Sequence, residues 1–232
     1  MTNLPPKTNL ALCLSFLMTL TAPAQEASVK AGINEKFLDP NLKVEEWTTR
    51  FETESREVFL KKDRIVKALG MKSGMVVADI GAGTGLFTIP FSEAVGESGK
   101  VYAVDIAKNF LTHIRNRAGA TGAANIETIL CTDHSLELPE SSVDLAFICD
   151  TYHHFEFPHS TMKSLHRALK PGGEFVLIDF VRIEGESSDW TLTHVRAGQE
   201  VFEKEILDSG FEKVSEISDF LTENYFIRFR KK

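Results

Sequence analysis

Only three cysteines occur in the 232 residues, and no Cys/His spacing matches a zinc site, so no metal ligands are expected. Cys13 sits in a short apolar run. Cys131 and Cys149 sit in strand-like stretches, where buried thiols are expected ahead of a disulfide, although export would permit oxidation. Dense basic runs are missing apart from the terminal RFRKK, and the formal net charge is -7. An acidic chain of this kind argues against a nucleic-acid partner, because neutralising phosphates needs a basic face. Long apolar runs are missing too. LALCLSFLMTL, at eleven residues, is too short for a comfortable membrane span, so no stable insertion of the mature chain is expected. There is no internal repeat and no low-complexity tract. With 43% hydrophobic residues, the length suits one globular domain with a full core and some extra at an end.

The first residues differ from the rest. A weakly positive start, the apolar run and Ala22-Pro23-Ala24 give the three parts of a secretory signal peptide, assigned to residues 1–24. That reading predicts a periplasmic or secreted protein, and a cytoplasmic one if the segment is only a disordered or interfacial tail. Residues 25–43 are polar and mixed and are expected to be a linker. A single domain is expected over residues 44–232.

Within that domain, Trp47, Phe51, Val58, Ile65 and Leu69 recur at helical spacings, and Gly70 offers a stop, so a helix is expected from Val44 to Leu69. Strand and helix patterns then alternate. MVVADI, KVYAVDI, NIETILCTD, VDLAFICDTY and EFVLIDF read as buried strands separated by helices, which predicts a doubly wound parallel sheet. Two closely spaced runs near the end, FEKVSEISDFL and NYFIRFRK, must pair antiparallel. The predicted fold class is therefore α/β: Rossmann-like, mostly parallel, with a C-terminal antiparallel hairpin.

The stretch VVADIGAGTG places glycines at 81, 83 and 85 after the first strand. A dinucleotide fingerprint needs its third glycine one residue later, and position 86 is Leu. Asp79, two residues before the loop, would repel a pyrophosphate and suits a ligand with cationic groups. Asp105 ends the second strand, where a carboxylate accepts both ribose hydroxyls, or else caps the next helix. Asp133 ends the third strand, as an acceptor or as a turn former. Three acids at successive strand ends fit a cationic nucleoside with a free amino-acid end better than a dinucleotide.

These segments, together with CTDHSLELP, DLAFICDTYHHF and LKPGGEFVLIDF, resemble the class I S-adenosylmethionine-dependent methyltransferases in order and spacing, over roughly Val44 to Lys232. The chain looks most like the small-molecule branch, which includes the quinone-biosynthesis C-methyltransferases. The resemblance implies seven strands and S-adenosyl-L-methionine as cofactor. It implies that Gly81, Ala82, Gly83, Thr84 and Gly85 let the backbone pass close to the methionine part, and that Asp79 holds the ammonium, directly or through water. Asp105 would bind the ribose and Ile106 would pack on the adenine. Thr132, Asp133 and His134 would border the adenine amino group, and Cys149 and Asp150 the methionine part and the transfer site.

Methyl transfer from a sulfonium needs positioning above all, and a base only if the acceptor must lose a proton. Asp150, His153, His154 and His194 are the candidates, with His153 preferred as nearer the strand end. Trp190, His194 and Arg196 are candidates for a substrate pocket. Trp47, Arg50, Phe51 and Arg56 suit the opposite wall, although their spacing fits core packing plus a solvated face better. The expected function is methyl transfer to a small-molecule acceptor. The rivals are a non-catalytic binder of S-adenosylmethionine or S-adenosylhomocysteine, an NAD(P)-linked or nucleotide-sugar reductase, and protein methylation in the envelope. Oligomeric state is not legible.

Overall fold

The computed structural model describes residues 1–2, 26–219 and 221–232; the signal-peptide assignment lies, from residue 3 on, outside the described residues. Among them, seven strands form one sheet. They are β1 (Val76–Ile80), β2 (Lys100–Asp105), β3 (Ile126–Leu130), β4 (Val143–Cys149), β5 (Leu169–Phe180), β6 (Phe211–Ile217) and β7 (Asn224–Lys231). Their order is β3-β2-β1-β4-β5-β7-β6. The first five strands run parallel, and β7 lies antiparallel between β5 and β6. This is the expected sheet, hairpin included.

Helices α1 (Glu35–Leu38), α2 (Val44–Phe51), α3 (Glu57–Leu60) and α4 (Lys62–Ala68) precede the sheet. Between and after its strands come α5 (Thr88–Val95), α6 (Lys108–Thr121), α7 (Pro158–Ala168), α8 (Asp189–His194) and α9 (Gln199–Asp208). The strand residues divide between two cores. Leu145, Phe147, Val176 and Ile178 pack on one face of the sheet, and Ala146, Ile148, Phe175 and Leu177 on the other. Period-2 side chains buried on both faces explain why these strands read as continuous apolar runs. Phe147 makes edge contacts with Phe87 and Phe91 at 4.8 and 5.2 Å. Removing such a ring costs about 3–5 kcal/mol.

Strand order reverses between β1 and β4, so the helices leaving these two strands go to opposite faces. That opens a crevice at the strands' carboxyl ends.

Two expectations change here. The helix expected over Val44–Leu69 is three helices, broken between Phe51 and Glu57. The break turns charged side chains inward: Glu52 meets Arg117 and the Thr84 hydroxyl, and Glu57 accepts from the backbone N–H groups of Thr222 and Glu223. Residues 25–43, expected as a linker, are from Glu26 onward folded against the domain. The Glu26 carboxylate accepts from the N–H groups of His159 and Ser160 at 2.9 and 2.7 Å, so it supplies the acceptor that α7 lacks at its own N-cap. Asn34 donates to the His154 carbonyl at 3.0 Å, and Leu42 is buried beside Phe110. No helix among the described residues is long and apolar enough to cross a membrane.

Candidate active site

A cavity of about 820 Å³ opens at the crevice. One wall is the turn after β1. Gly81 (φ 69°) makes the turn, and a Cβ there would stand 2.2 Å from the Thr151 side chain, so only glycine fits. Gly81, Ala82, Gly83 and Thr84 line the cavity, while Gly85 turns away toward Ile114.

Asp105 ends β2 beside this turn. Its carboxylate accepts from the N–H groups of Gly83 and Ala107, each at 2.8 Å, and so ties the turn to the neighbouring strand. Burial pushes its pKa up to about 6 against the pull of those donors. The Ile106 N–H also pulls on this carboxylate, so of its about four acceptor positions at least one remains for a ligand. The helix-cap and ligand readings of Asp105 are thus compatible. Ile106, Thr132 and Asp133 continue this wall; His134 instead stacks on Phe157 at 3.8 Å, off the cavity.

Asp79 corrects the simplest form of the expectation. It is not on the wall but behind it, 4% exposed, and accepts from the Thr88 hydroxyl at 2.5 Å. Burial, with the Asp105 charge adding to it, pushes its pKa up to about 7. Thr88, which no sequence motif singled out, is the only side chain that donates to it among the described residues.

Cys149 and Asp150 form the floor where β4 ends. Asp150 holds a left-handed backbone (φ 48°) and is bound by Arg56 and by Asn224, the latter at 2.6 Å. Burial raises its pKa to about 6, opposed by the Arg56 guanidinium. An aspartate so engaged positions neighbours and is not a free base. Cys131 and Cys149 are free thiols on the cavity wall, each half-buried rather than fully buried; burial pushes Cys131 up to about 12.

The far wall is imidazole and aromatic. His153 and His154 lie on a short 3-10 turn, Tyr152–His154, after β4; His194 ends α8. His153 Nδ1 is 2.8 Å from Asp179 Oδ1, and its backbone N–H reaches Asp179 Oδ2 at 3.2 Å. Asp179 is fully buried. Burial, together with the neighbouring histidines, lowers His154 to about 2 and His194 to about 4, so both are neutral at neutral pH. Trp190 stacks on His194 at 4.6 Å and Phe180 meets Trp190 edge-on at 5.3 Å. Arg196, expected here, instead forms a two-pronged pair with Glu205 over Phe202 and leaves the cavity. Trp47, Arg50, Phe51 and Arg56 do line the cavity, joined by Phe37 and Lys36 from the presumed linker. Their aromatic rings also pack with Phe110, so the core and pocket readings both apply.

Asp179 was missed because LIDF reads as strand interior. The signal present was a carboxylate near a strand's end, as in β1 and β2.

Sheet order, the glycine turn after β1 and the acid ending β2 define the class: a domain of the class I, S-adenosylmethionine-dependent methyltransferase type. A family model described as a methyltransferase domain matches residues 71–222, and the chain belongs to that family. Over 128 residues it is 31% identical to the ubiquinone/menaquinone biosynthesis C-methyltransferase UbiE of Pseudoalteromonas translucida, covering 55% of this chain and 51% of that one. The chain spans about half the length of the curated relatives it matches. An S-adenosylmethionine-dependent methyltransferase from Aquifex aeolicus shares the fold at TM-score 0.71 and 24% identity, covering 80% of this chain and 97% of that one. So does a phosphoethanolamine N-methyltransferase of Haemonchus contortus in complex with S-adenosyl-L-methionine, at TM-score 0.66 and 21% identity, covering 82% and 46%.

Proposed function

We propose that this chain transfers a methyl group from S-adenosylmethionine to a small acceptor with an aromatic or otherwise flat apolar body. The observation that carries the reading is one continuous cavity with two unlike ends. One end is backbone and carboxylate, the glycine turn with Asp105. The other is imidazole and aromatic, His153, His154, His194 and Trp190. Its volume lies near the top of the roughly 300–1,000 Å³ range of ligand pockets, which suits two ligands side by side.

The residues present fit the cofactor. Gly83 puts no side chain between the turn and the cavity, Asp105 keeps acceptor capacity, and Asp79, once ionised in the presence of a cationic ligand, would place negative charge behind the turn. When bound, the cofactor supplies an activated methyl on a sulfonium. Asp105 would hold the ribose hydroxyls, Ile106 the adenine face, and Thr132 and Asp133 the adenine edge. Asp79 would act on the cofactor's ammonium only through the turn or a water. Cys149 and Asp150 would border the methionine part, with Arg56 and Asn224 fixing Asp150.

The acceptor would lie between Trp190 and the Phe37, Trp47 and Phe51 group. His153 is fixed by Asp179 through Nδ1, so Nε2 is the nitrogen available to an acceptor proton. An aromatic acceptor also agrees with the quinone-pathway names of the relatives.

Calorimetry with S-adenosylmethionine, S-adenosylhomocysteine and NADH, on the chain and on Asp105→Ala, tests the cofactor half. Micromolar binding of the first two, lost in the variant, is expected. A preference for NADH would refute the reading. Methyl transfer from labelled cofactor to a panel of hydroxylated aromatic compounds tests the acceptor half. Binding without any turnover would leave a cofactor-binding protein.

A further inference from the structure

His153, His154 and His194 share more than a wall. Each offers one ring nitrogen, and these three atoms lie within 4.8 Å of one another. The ring centroids form a triangle of 4.4, 5.0 and 5.1 Å. Each ring has its own support. His153 Nδ1–H donates to Asp179, which leaves the lone pair of Nε2 free to bind a ligand. Phe37 meets His154 edge-on at 5.2 Å, and Trp190 stacks on His194. His154 Nδ1 is buried without a hydrogen-bond partner. Imidazoles gathered in this way bring lone pairs or N–H groups face to face, which is unfavourable unless something sits between them.

We propose that His153, His154 and His194 form a three-ligand site for one divalent transition-metal ion of the zinc type, with its fourth position open toward the acceptor. The site stands on its own geometry; its role in catalysis rests on the methyl-transfer reading above. Three nitrogen ligands select zinc-like ions over Mg²⁺ or Ca²⁺, which prefer oxygen. Zinc–nitrogen bonds of about 2.0–2.1 Å place tetrahedral ligand nitrogens about 3.4 Å apart, so the triangle must contract by roughly an ångström. His194, half-buried on the short α8, is the ligand freest to supply that movement. Asp179 acts as the outer partner that fixes the tautomer and orientation of a ligating histidine.

The nearby charges permit the ion. Lys30 donates to the His194 backbone carbonyl, and Lys36 lies over the Phe37 and Trp47 rings, so neither ammonium is seen bonded to an imidazole nitrogen. Asp179 sits against the cluster, and Asp150 shares the cavity. With His153 Nε2 on the metal, the ion takes over from that nitrogen the activation of the acceptor: a hydroxyl or thiol bound at the open position would lose its proton to solvent at neutral pH. The ionised atom's electron pair would then form the bond to the methyl carbon, while the methyl–sulfur pair stays on sulfur. S-adenosylhomocysteine and the methylated acceptor are the products.

The test is titration of the full chain, stripped with a chelator, first with Co²⁺ and then with Zn²⁺. One equivalent of Co²⁺ is expected to give the intense visible absorption of a four-coordinate ion, bleached by Zn²⁺. His194→Ala should abolish it, Asp179→Asn should weaken affinity about 10–100-fold, and the surface variant His159→Gln should leave it unchanged. Circular dichroism and S-adenosylmethionine binding confirm that His194→Ala is folded. The proposal is overturned if the folded chain takes up no stoichiometric ion, or if uptake survives His194→Ala. Stoichiometric ion uptake without cofactor binding would uphold the site while sinking the methyl-transfer reading, so the two fail separately.

Discussion

Asp79 is pushed further above its ordinary pKa than Asp105 or Asp150, and changing pH is the perturbation that exposes this. It is buried behind the glycine turn, where the Thr88 hydroxyl donates to it. Burial lifts its pKa from an ordinary 3.8 to about 7. A carboxyl raised in the folded state contributes stability that is fully present below its unfolded pKa and is lost as pH rises through its folded value. A shift of about three units corresponds to roughly 4 kcal/mol, lost at about 1.4 kcal/mol per pH unit between about pH 4 and pH 7. Asp105 and Asp150, both raised to about 6, add slopes of the same sign. His154 and His194, held below their ordinary value by burial, contribute slopes of the opposite sign up to about pH 6.5, so the Asp79 contribution is read as the difference between the ligand-free chain and Asp79→Asn, measured by urea unfolding with constant m-value. Asp79→Asn should remove about one proton's worth of slope and leave the rest. A cationic ligand favours the ionised form, so S-adenosylmethionine affinity should rise with pH to about 7 and then level. Binding near pH 6 should release protons, read from the buffer dependence of the calorimetric heat. Equal stability slopes in the two proteins would refute the burial argument. Cofactor affinity independent of pH would refute the placement of the ammonium near Asp79.

Other residues make separate claims. Gly81→Ala forces a Cβ to 2.2 Å from Thr151 at a φ of 69°, so cofactor binding should be lost and stability should fall by roughly 1–3 kcal/mol, seen in calorimetry and melting. Asp179→Asn keeps the bonds from His153 Nδ1 and the Phe180 N–H to one oxygen and leaves the buried backbone N–H of His153 unpaired, a cost of about 1–3 kcal/mol. Its turnover should drop roughly 10²–10⁴-fold with cofactor Kd unchanged; unaltered turnover would remove His153 from the chemistry. Arg196→Ala breaks a largely buried pair with Glu205, so it should cost about 3–5 kcal/mol in chemical unfolding while leaving cofactor affinity intact.

What the sequence disclosed and what it hid follow from the range of the interactions involved. The strands are legible because burial on both faces makes them short apolar runs. Gly81, Gly83 and Asp105 are legible because the turn and the acid sit at fixed offsets from those runs. The break between Phe51 and Glu57 is not legible. Its residues include Glu, Ser and Arg, which a helix tolerates, and only distant partners, Arg117, Asp150 and the Thr222 backbone, pull the chain out of helix. The stretch after Glu26 hides for the same reason: it has no periodicity, and its order comes from contacts with α7 and the His154 carbonyl. The histidines are the clearest case. Each was a separate candidate, and no ligand spacing joined them, because zinc-site spacing rules describe ligands close together in one segment. Here the adjacency of β4 and β5 in the sheet sets the turn carrying His153 and His154 beside Asp179, and the return of α8 over the crevice adds His194. The triangle belongs to the topology, and a metal titration can test it without knowledge of the acceptor.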